Sequence, residues 1–264
     1  MQTRHHNRWQ YFCEQASTAR EFYIPYLQQH MTLAAGSRVL EVGCGEGGNL
    51  LPFAAAGCMV TGIDLSKDRI EQARSFFESS GMQGNFICGD FIAMNPPATA
   101  SDGYDVILVH DVIEHVPQAA KLPFLHHMAS FLRYGGLVFV GFPPWRNPFG
   151  GHQQIGRGLA SKMPYVHLLP GASYPWALRM CGNDDATVKE LLDIKESKMP
   201  VRRFEKLAVA AGFEIAHRTL WFINPHYKQK FHLQPRRLWQ VFASIPYLSD
   251  FYTTAAFFLL RTSR

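Results

Sequence analysis

The sequence predicts an α/β fold built on a doubly wound, mostly parallel sheet. Three observations carry that expectation. Short apolar runs alternate with helix-length amphipathic runs from residue 38 to residue 141. The loop Gly43-Cys44-Gly45-Glu46-Gly47-Gly48 joins the first apolar run to the first helical one. The run at 104–109 is apolar almost throughout, the character of a strand covered on both faces. Alternation of this kind implies parallel pairing through right-handed crossovers.

Residues 38–42 read as the first strand, and 49–56 as a helix that Gly57 stops. The second strand is 59–64, and the helix after it, 67–79, ends before Gly81. Residues 85–88 form the third strand and 104–109 the fourth. A helix over 119–132, ended by Gly135-Gly136, leads to a fifth strand at 137–141. Residues 142–180 are rich in Pro, Gly and aromatics and read as irregular; an insertion of this kind late in an α/β domain is usually a lid or binding region. Helices are expected at 184–194 and 202–211, a strand at 213–222, a short helix over 238–251 and a last strand at 255–261.

The chain has 264 residues, 47% hydrophobic and 18% charged, which describes an ordinary folded protein. Its five cysteines show no CxxC spacing, which argues against a disulfide framework and a structural zinc site and suits a reducing, cytoplasmic setting. No apolar leader is seen at the N-terminus, and no apolar run approaches the roughly 20 residues a membrane span needs. The net charge of +5 is uneven: residues 1–194 carry 14 Lys/Arg against 17 Asp/Glu, and residues 195–264 carry 12 against 4. A basic C-terminal third can be a solvated surface or can face an anionic partner, so a peripheral membrane contact is an open expectation. No nucleic-acid module accompanies the charge, and nucleic acid is not the expected partner.

A glycine loop between strand and helix turns tightly, admits a ligand to the backbone and aims helix amides at it. Alone, it serves several nucleotide-like ligands. The residues around it discriminate. Glu41 stands just before Gly43, where a carboxylate would repel a pyrophosphate but suit an ammonium and a sulfonium. Asp64 closes the second strand, Cys88-Gly89-Asp90-Phe91 follows the third, and His110-Asp111-Val112-Ile113-Glu114-His115-Val116 follows the fourth. Together these segments resemble class I S-adenosylmethionine-dependent methyltransferases, of the ubiquinone-biosynthesis type in the Glu114-His115-Val116 segment. The resemblance is good over residues 36–141 and extends to the rest only in topology.

That resemblance implies a Rossmann-like, seven-stranded sheet with an antiparallel last strand and a lid inserted after the fifth. It divides the chain into an N-terminal helical segment (1–35) covering the cofactor site, a cofactor-binding core (36–141), an insertion or substrate lid (142–203) and a C-terminal part (204–264) completing the sheet. It implies S-adenosyl-L-methionine as cofactor, leaving S-adenosyl-L-homocysteine as product. The cofactor residues would be Glu41, Gly43, Cys44, Gly45 and Gly47 around the loop, Asp64, Leu65 and Ser66 at the ribose, Asp90 and Phe91 at the adenine, and His110. No metal ligand is expected.

The acceptor side rests on chemistry. Methyl transfer from a sulfonium is an in-line displacement, and an oxygen or carbon acceptor often needs a base. Histidine is the natural one near neutral pH. His110 stands at a strand end, His115 matches the family histidine, and His152 lies among Gly, Pro and aromatics just past the fifth strand. The reading is a methyltransferase acting on a small molecule, most simply on an oxygen of a quinone-like, glycan or lipid-linked compound. A protein or nucleic-acid methyltransferase, a non-catalytic cofactor-binding protein and a nicotinamide oxidoreductase are the rivals; Glu41 and Asp90 disfavour the last.

Overall fold

The computed structural model describes residues 7–262, so the first six and last two residues of the expected N- and C-terminal segments lie outside it. The chain opens with α1 (Arg8–Thr18), a five-residue π-helical segment (Ala19–Tyr23) and α2 (Ile24–Gln28). The core series follows: β1 (Arg38–Val42), α3 (Leu51–Ala55), β2 (Met59–Asp64), α4 (Lys67–Ser79), β3 (Asn85–Cys88), β4 (Tyr104–His110), α5 (Lys121–Ala129) and β5 (Leu132–Phe142). The insertion holds α6 (Ser173–Met180) and α7 (Asp185–Ser197). The C-terminal part adds α8 (Val201–Ala210), β6 (Phe213–Ile223), α9 (His226–Phe231), β7 (Arg236–Arg237), α10 (Gln240–Ser244), α11 (Leu248–Tyr252) and β8 (Ala255–Thr262).

The sheet runs β3-β2-β1-β4-β5-β8-β6-β7. The five strands from β3 to β5 are parallel, and β8 enters antiparallel between β5 and β6. The strand order reverses between β1 and β4, which opens a crevice at their carboxyl ends, where such sheets place ligands. Side chains along the central strands alternate between two buried faces. Ile107, Val109, Val138 and Val140 pack with α5 and α8 on one side. Val106, Leu108, Leu137 and Phe139 pack with α4 and the N-terminal helices on the other. Both faces being covered explains why these strands read as continuous apolar runs.

Four expectations need correction. The sheet has eight strands, because Arg236 and Arg237 pair with Ile223 and Trp221 as a two-residue edge. The helix expected over 119–132 ends at Ala129, and the fifth strand starts at Leu132, which pairs with Tyr104. Gly136 is therefore a close-approach residue beside β4, where a Cβ would lie 2.9 Å from the Tyr104 carbonyl oxygen. The stretch read as irregular contains α6, and the helix expected over 238–251 is two short helices broken at Tyr247, whose φ is +68°. The insertion also has a small apolar core of its own, including Trp145, Tyr174, Leu178 and Leu191.

Candidate active site

At the carboxyl ends of β1, β2 and β3 lies a cleft of about 380 Å³. The glycine loop meets it at Gly43 and holds three glycines at positive φ: Gly43 (+73°), Gly45 (+54°) and Gly47 (+81°). They serve different ends. A Cβ on Gly43 would sit 2.4 Å from Val112 Cγ2, so this glycine lets the loop after β4 close over the cleft. A Cβ on Gly47 would press on Phe86 at 2.9 Å, which makes it a packing residue between loop and core. A Cβ on Gly45 would find nothing nearer than 4.0 Å, so it is the left-handed backbone and not crowding that calls for glycine there. Replacing Gly43 with alanine combines a left-handed backbone, about 1–2 kcal/mol, with an overpacked contact, about 1–3 kcal/mol. A loss of about 3 kcal/mol in unfolding free energy is expected, readable in a urea titration as a lower midpoint at constant slope.

Asp64 organises the loop from below. One carboxylate oxygen accepts the Gly45 amide at 2.9 Å and the other accepts the Ser66 amide at 2.8 Å. Ser66 itself caps α4 through the Arg69 amide. Asp90 accepts the Ile92 amide at 3.0 Å, turning the chain so that both carboxylates line the cleft. Phe91 completes this wall, its ring held against Phe124, His127 and Phe131.

Of the residues the sequence singled out for the cofactor, Gly43, Asp64, Leu65, Asp90 and Phe91 line this cleft. Glu41, Cys44, Gly45, Gly47, Ser66 and His110 stand behind or beside it. Cys44 is buried, its thiol pushed up by desolvation and directed to the Gly45 carbonyl. Glu41 lies 1% exposed beneath the loop. Its Oε1 accepts the Asn49 amide at 2.7 Å, while its Oε2 is buried without a partner among the described residues. Burial raises the Glu41 carboxyl to about 8, against the opposing hydrogen bond from Asn49. An orphaned carboxylate oxygen beneath the glycine loop fits a ligand that brings a cationic group.

His110 faces away from the cleft. Its Nε2 is 2.8 Å from the Tyr23 hydroxyl and its Nδ1 3.4 Å from Asp111. Tyr23 lies in the π-helical segment, a local irregularity often found at functional sites. Burial, with Asp111 nearby, holds the Tyr23 phenol well above its ordinary value. The N-terminal helix adds Arg8, paired with buried Glu46 of the glycine loop at 2.7 Å, and Tyr11, whose phenol burial and the Asp111 and Glu46 carboxylates push up. Sequence reading missed Arg8, Tyr11 and Tyr23, since no local signal joins residues so far apart in the chain.

His115 and His152 do come together. His115 lines the cleft, and the two rings meet edge to face at 5.0 Å. His152 holds an unusual backbone for a non-glycine residue, φ +52°, and its Nε2 is buried without a partner among the described residues. Burial, helped by His115, lowers the His152 imidazole to about 4, and burial lowers His115 as well. The His152 ring is therefore neutral at pH 7. Behind them is Glu114, buried, with neither carboxyl oxygen hydrogen-bonded among the described residues and burial raising it well above its ordinary value. Lys121, fully buried, donates to the Ile113 carbonyl and is lowered to about 8 by burial against the opposing pull of Glu114. Donor atoms of Glu114, His115 and His152 all lie within 4.8 Å of one another, a spacing that can hold a metal ion and that the sequence did not reveal.

Comparison with known proteins bears on this geometry. Residues 39–136 match the model of a family described as a methyltransferase domain. Over those residues the chain is similar to a methyltransferase domain. A ubiquinone biosynthesis O-methyltransferase of Coxiella burnetii is 28% identical over 162 residues, 61% of this chain and 60% of that protein. The chain thus spans about 60% of the length of that relative. Among solved structures, a methyltransferase of Clostridium acetobutylicum superposes with a TM-score of 0.60 at 11% identity, covering 94% of this chain and 92% of that one. A magnesium protoporphyrin IX methyltransferase of Synechocystis with bound S-adenosylhomocysteine gives 0.57 at 18% identity, covering 95% and 84%. The chain therefore has the fold that these methyltransferases share. No helix among the described residues is long and apolar enough to cross a membrane.

Proposed function

We propose that this methyltransferase domain transfers the methyl group of S-adenosylmethionine to an oxygen of a small molecule, quinone-like, glycan or lipid-linked. The observation that carries the reading is the pairing of the Asp64–Asp90 cleft with the His115–His152 contact at its mouth. Similarity to O-methyltransferases of ubiquinone biosynthesis supports oxygen as the acceptor atom. When bound, the cofactor supplies an electrophilic methyl on a sulfonium. Asp64 and Leu65 would hold its ribose end, Asp90 and Phe91 its adenine, and Glu41 its ammonium end through the loop. Residues 142–203 would close over the acceptor, and the N-terminal helices would seal the cofactor side through Arg8 and Tyr11. As the oxygen–carbon bond forms and the carbon–sulfur bond breaks, the acceptor proton would pass to the neutral imidazole of His152.

A second reading of the histidine cluster rests on the Glu114 carboxyl, which accepts no hydrogen bond among the described residues and lies 3.9 Å from His115 Nε2. Glu114, His115 and His152 would hold a divalent cation, and the acceptor oxygen would bind it and lose its proton more easily. Turnover that survives exhaustive chelation removes this reading and leaves the first. Incubation with labelled S-adenosylmethionine and fractionated cell extract, followed by mass spectrometry of labelled products, tests the proposal as a whole. Labelled small molecules are the expected result; label confined to protein or RNA, or no transfer at all, overturns it.

Glu41 gives a pH dependence with a definite sign. Its folded value of about 8 stands above the ordinary 4.5. Between these values the unfolded chain is ionised there and the folded chain protonated, so its contribution to stability falls as pH rises across that window. A ligand ammonium group placed beside it favours the ionised form. Binding of S-adenosylhomocysteine at pH 7 should therefore release nearly one proton, and affinity should rise about tenfold per pH unit below 7 and about fivefold from 7 to 8. Calorimetry in buffers of different ionisation enthalpy reads the release directly, and Glu41→Gln should abolish it. Release that persists in the Gln variant would assign the proton to another group.

A further inference from the structure

We propose that the face formed by residues 222–252, with the exposed side of α8, docks this protein on an anionic lipid bilayer. An apolar groove of about 300 Å³ lies there, lined by Phe222, Leu238, Trp239, Phe242 and Tyr252, with Arg236 and Arg237 at its edge. Large apolar side chains continue beyond it: Trp239 is 76% exposed, Val241 72% and Ile245 42%. Trp239 stacks on Phe242, and Phe242 meets Tyr252, so the aromatic rings are contiguous. A second depression of about 250 Å³ contains Arg146, Arg202, Arg203, Lys206 and Tyr247. Tyr247, 58% exposed, lies in the segment between Phe242 and Tyr252 of the apolar groove, and the guanidinium groups of Arg146 and Arg202 lie over its ring at 5.3 and 5.5 Å.

The charge pattern selects the occupant. Arg146 is neutralised by Asp250 at 3.1 Å. Arg202, Arg203, Lys206, Arg236 and Arg237 form no ion pair among the described residues. A contiguous exposed apolar surface rimmed with unpaired cations matches the interface of a bilayer with acidic headgroups. Tryptophan and tyrosine are the residues that settle at headgroup depth. A second copy of the chain is disfavoured, because a self-complementary contact would bring the same five cations together. RNA would stack on the aromatics and pair with the cations, but it would leave the exposed Val241 and Ile245 unburied. This inference concerns how the protein is placed, and its test reads binding without any methyl transfer.

The full chain is sedimented with vesicles of phosphatidylcholine and phosphatidylglycerol, and in parallel with vesicles of phosphatidylcholine alone. Binding to the acidic vesicles only, weakening with salt, is the expected result. Each basic side chain near such a surface contributes enough that Arg236→Ala with Arg237→Ala should weaken binding about 30-fold. Trp239→Ala with Phe242→Ala should remove the part of binding that resists salt. Both double variants should keep the wild-type affinity for S-adenosylhomocysteine, which checks that they fold; Val241→Glu, a single exposed change, serves if either does not. No binding of the wild type to acidic vesicles, equal binding by all variants, or tighter binding to a single-stranded RNA oligonucleotide than to vesicles would overturn the proposal.

Discussion

Replacing Asp64 with alanine is expected to weaken S-adenosylhomocysteine binding about 100-fold while the protein remains folded. The side chain holds two amides at once, those of Gly45 and Ser66, and it still faces the cleft. Its loss acts twice. Two loop amides lose a charged acceptor, and any ligand hydroxyls lose theirs; a hydrogen bond to a charged group contributes about 1.5–3 kcal/mol. Two orders of magnitude correspond to about 2.7 kcal/mol, so one such bond to the ligand, or the disordering of the loop alone, suffices. Asp64→Asn separates the two, because its single carbonyl oxygen can keep one amide but not both. An intermediate loss in Asn points to loop organisation, and an Asn variant as weak as Ala points to direct ligand contact. Calorimetric affinity within threefold of wild type for the alanine variant would remove Asp64 from the site.

The cleft around Asp64 and Asp90 was legible in the sequence because each of its parts has a local cause. β2, α4 and β3 occupy the spans read from apolar runs and Gly stops, since their boundaries are set by neighbours along the chain. The loop glycines, Asp64 and Asp90 are placed by strand ends, and strand ends are what alternation reveals. What escaped notice depends on distant partners. Arg8 meets Glu46 across 38 positions and Tyr23 meets His110 across 87, and neither spacing leaves a periodic trace. α6 was hidden because Pro175 reads as a breaker, although in the first turn of a helix proline costs no hydrogen bond. The nearness of His115 and His152 had the same cause. His152 reaches His115 only because a tight turn at Gly150-Gly151 seats the loop on His167, where a Cβ on Gly151 would come within 2.2 Å of the His167 Cβ. His167 in turn holds the Trp145 carbonyl at 2.8 Å.

His152→Ala should lower turnover by about 10²–10⁴ and leave cofactor affinity unchanged, as removal of a positioned acid–base group does. The expectation follows from the orphaned Nε2, from the contact with His115 beside the cleft, and from a ring that burial keeps neutral. A buried, unpartnered nitrogen costs free energy that a folded chain rarely leaves unmet without a ligand to satisfy it. The two roles open to it separate cleanly by experiment. If His152 takes the acceptor proton itself, the loss is the same with and without chelator, and Glu114→Gln has a smaller effect, because that carboxyl then only supports the loop. If the three side chains hold a cation, His152→Ala and Glu114→Gln fall together, and equilibrium dialysis shows the loss of one bound ion in each variant. His110→Ala is the control. Its ring faces Tyr23 and Asp111 and not the cleft, so its removal should act through the N-terminal helices on cofactor affinity, with turnover at saturating cofactor retained. Turnover lost in His110→Ala and kept in His152→Ala would reverse the assignment and move the acceptor to the Tyr23 side of the sheet.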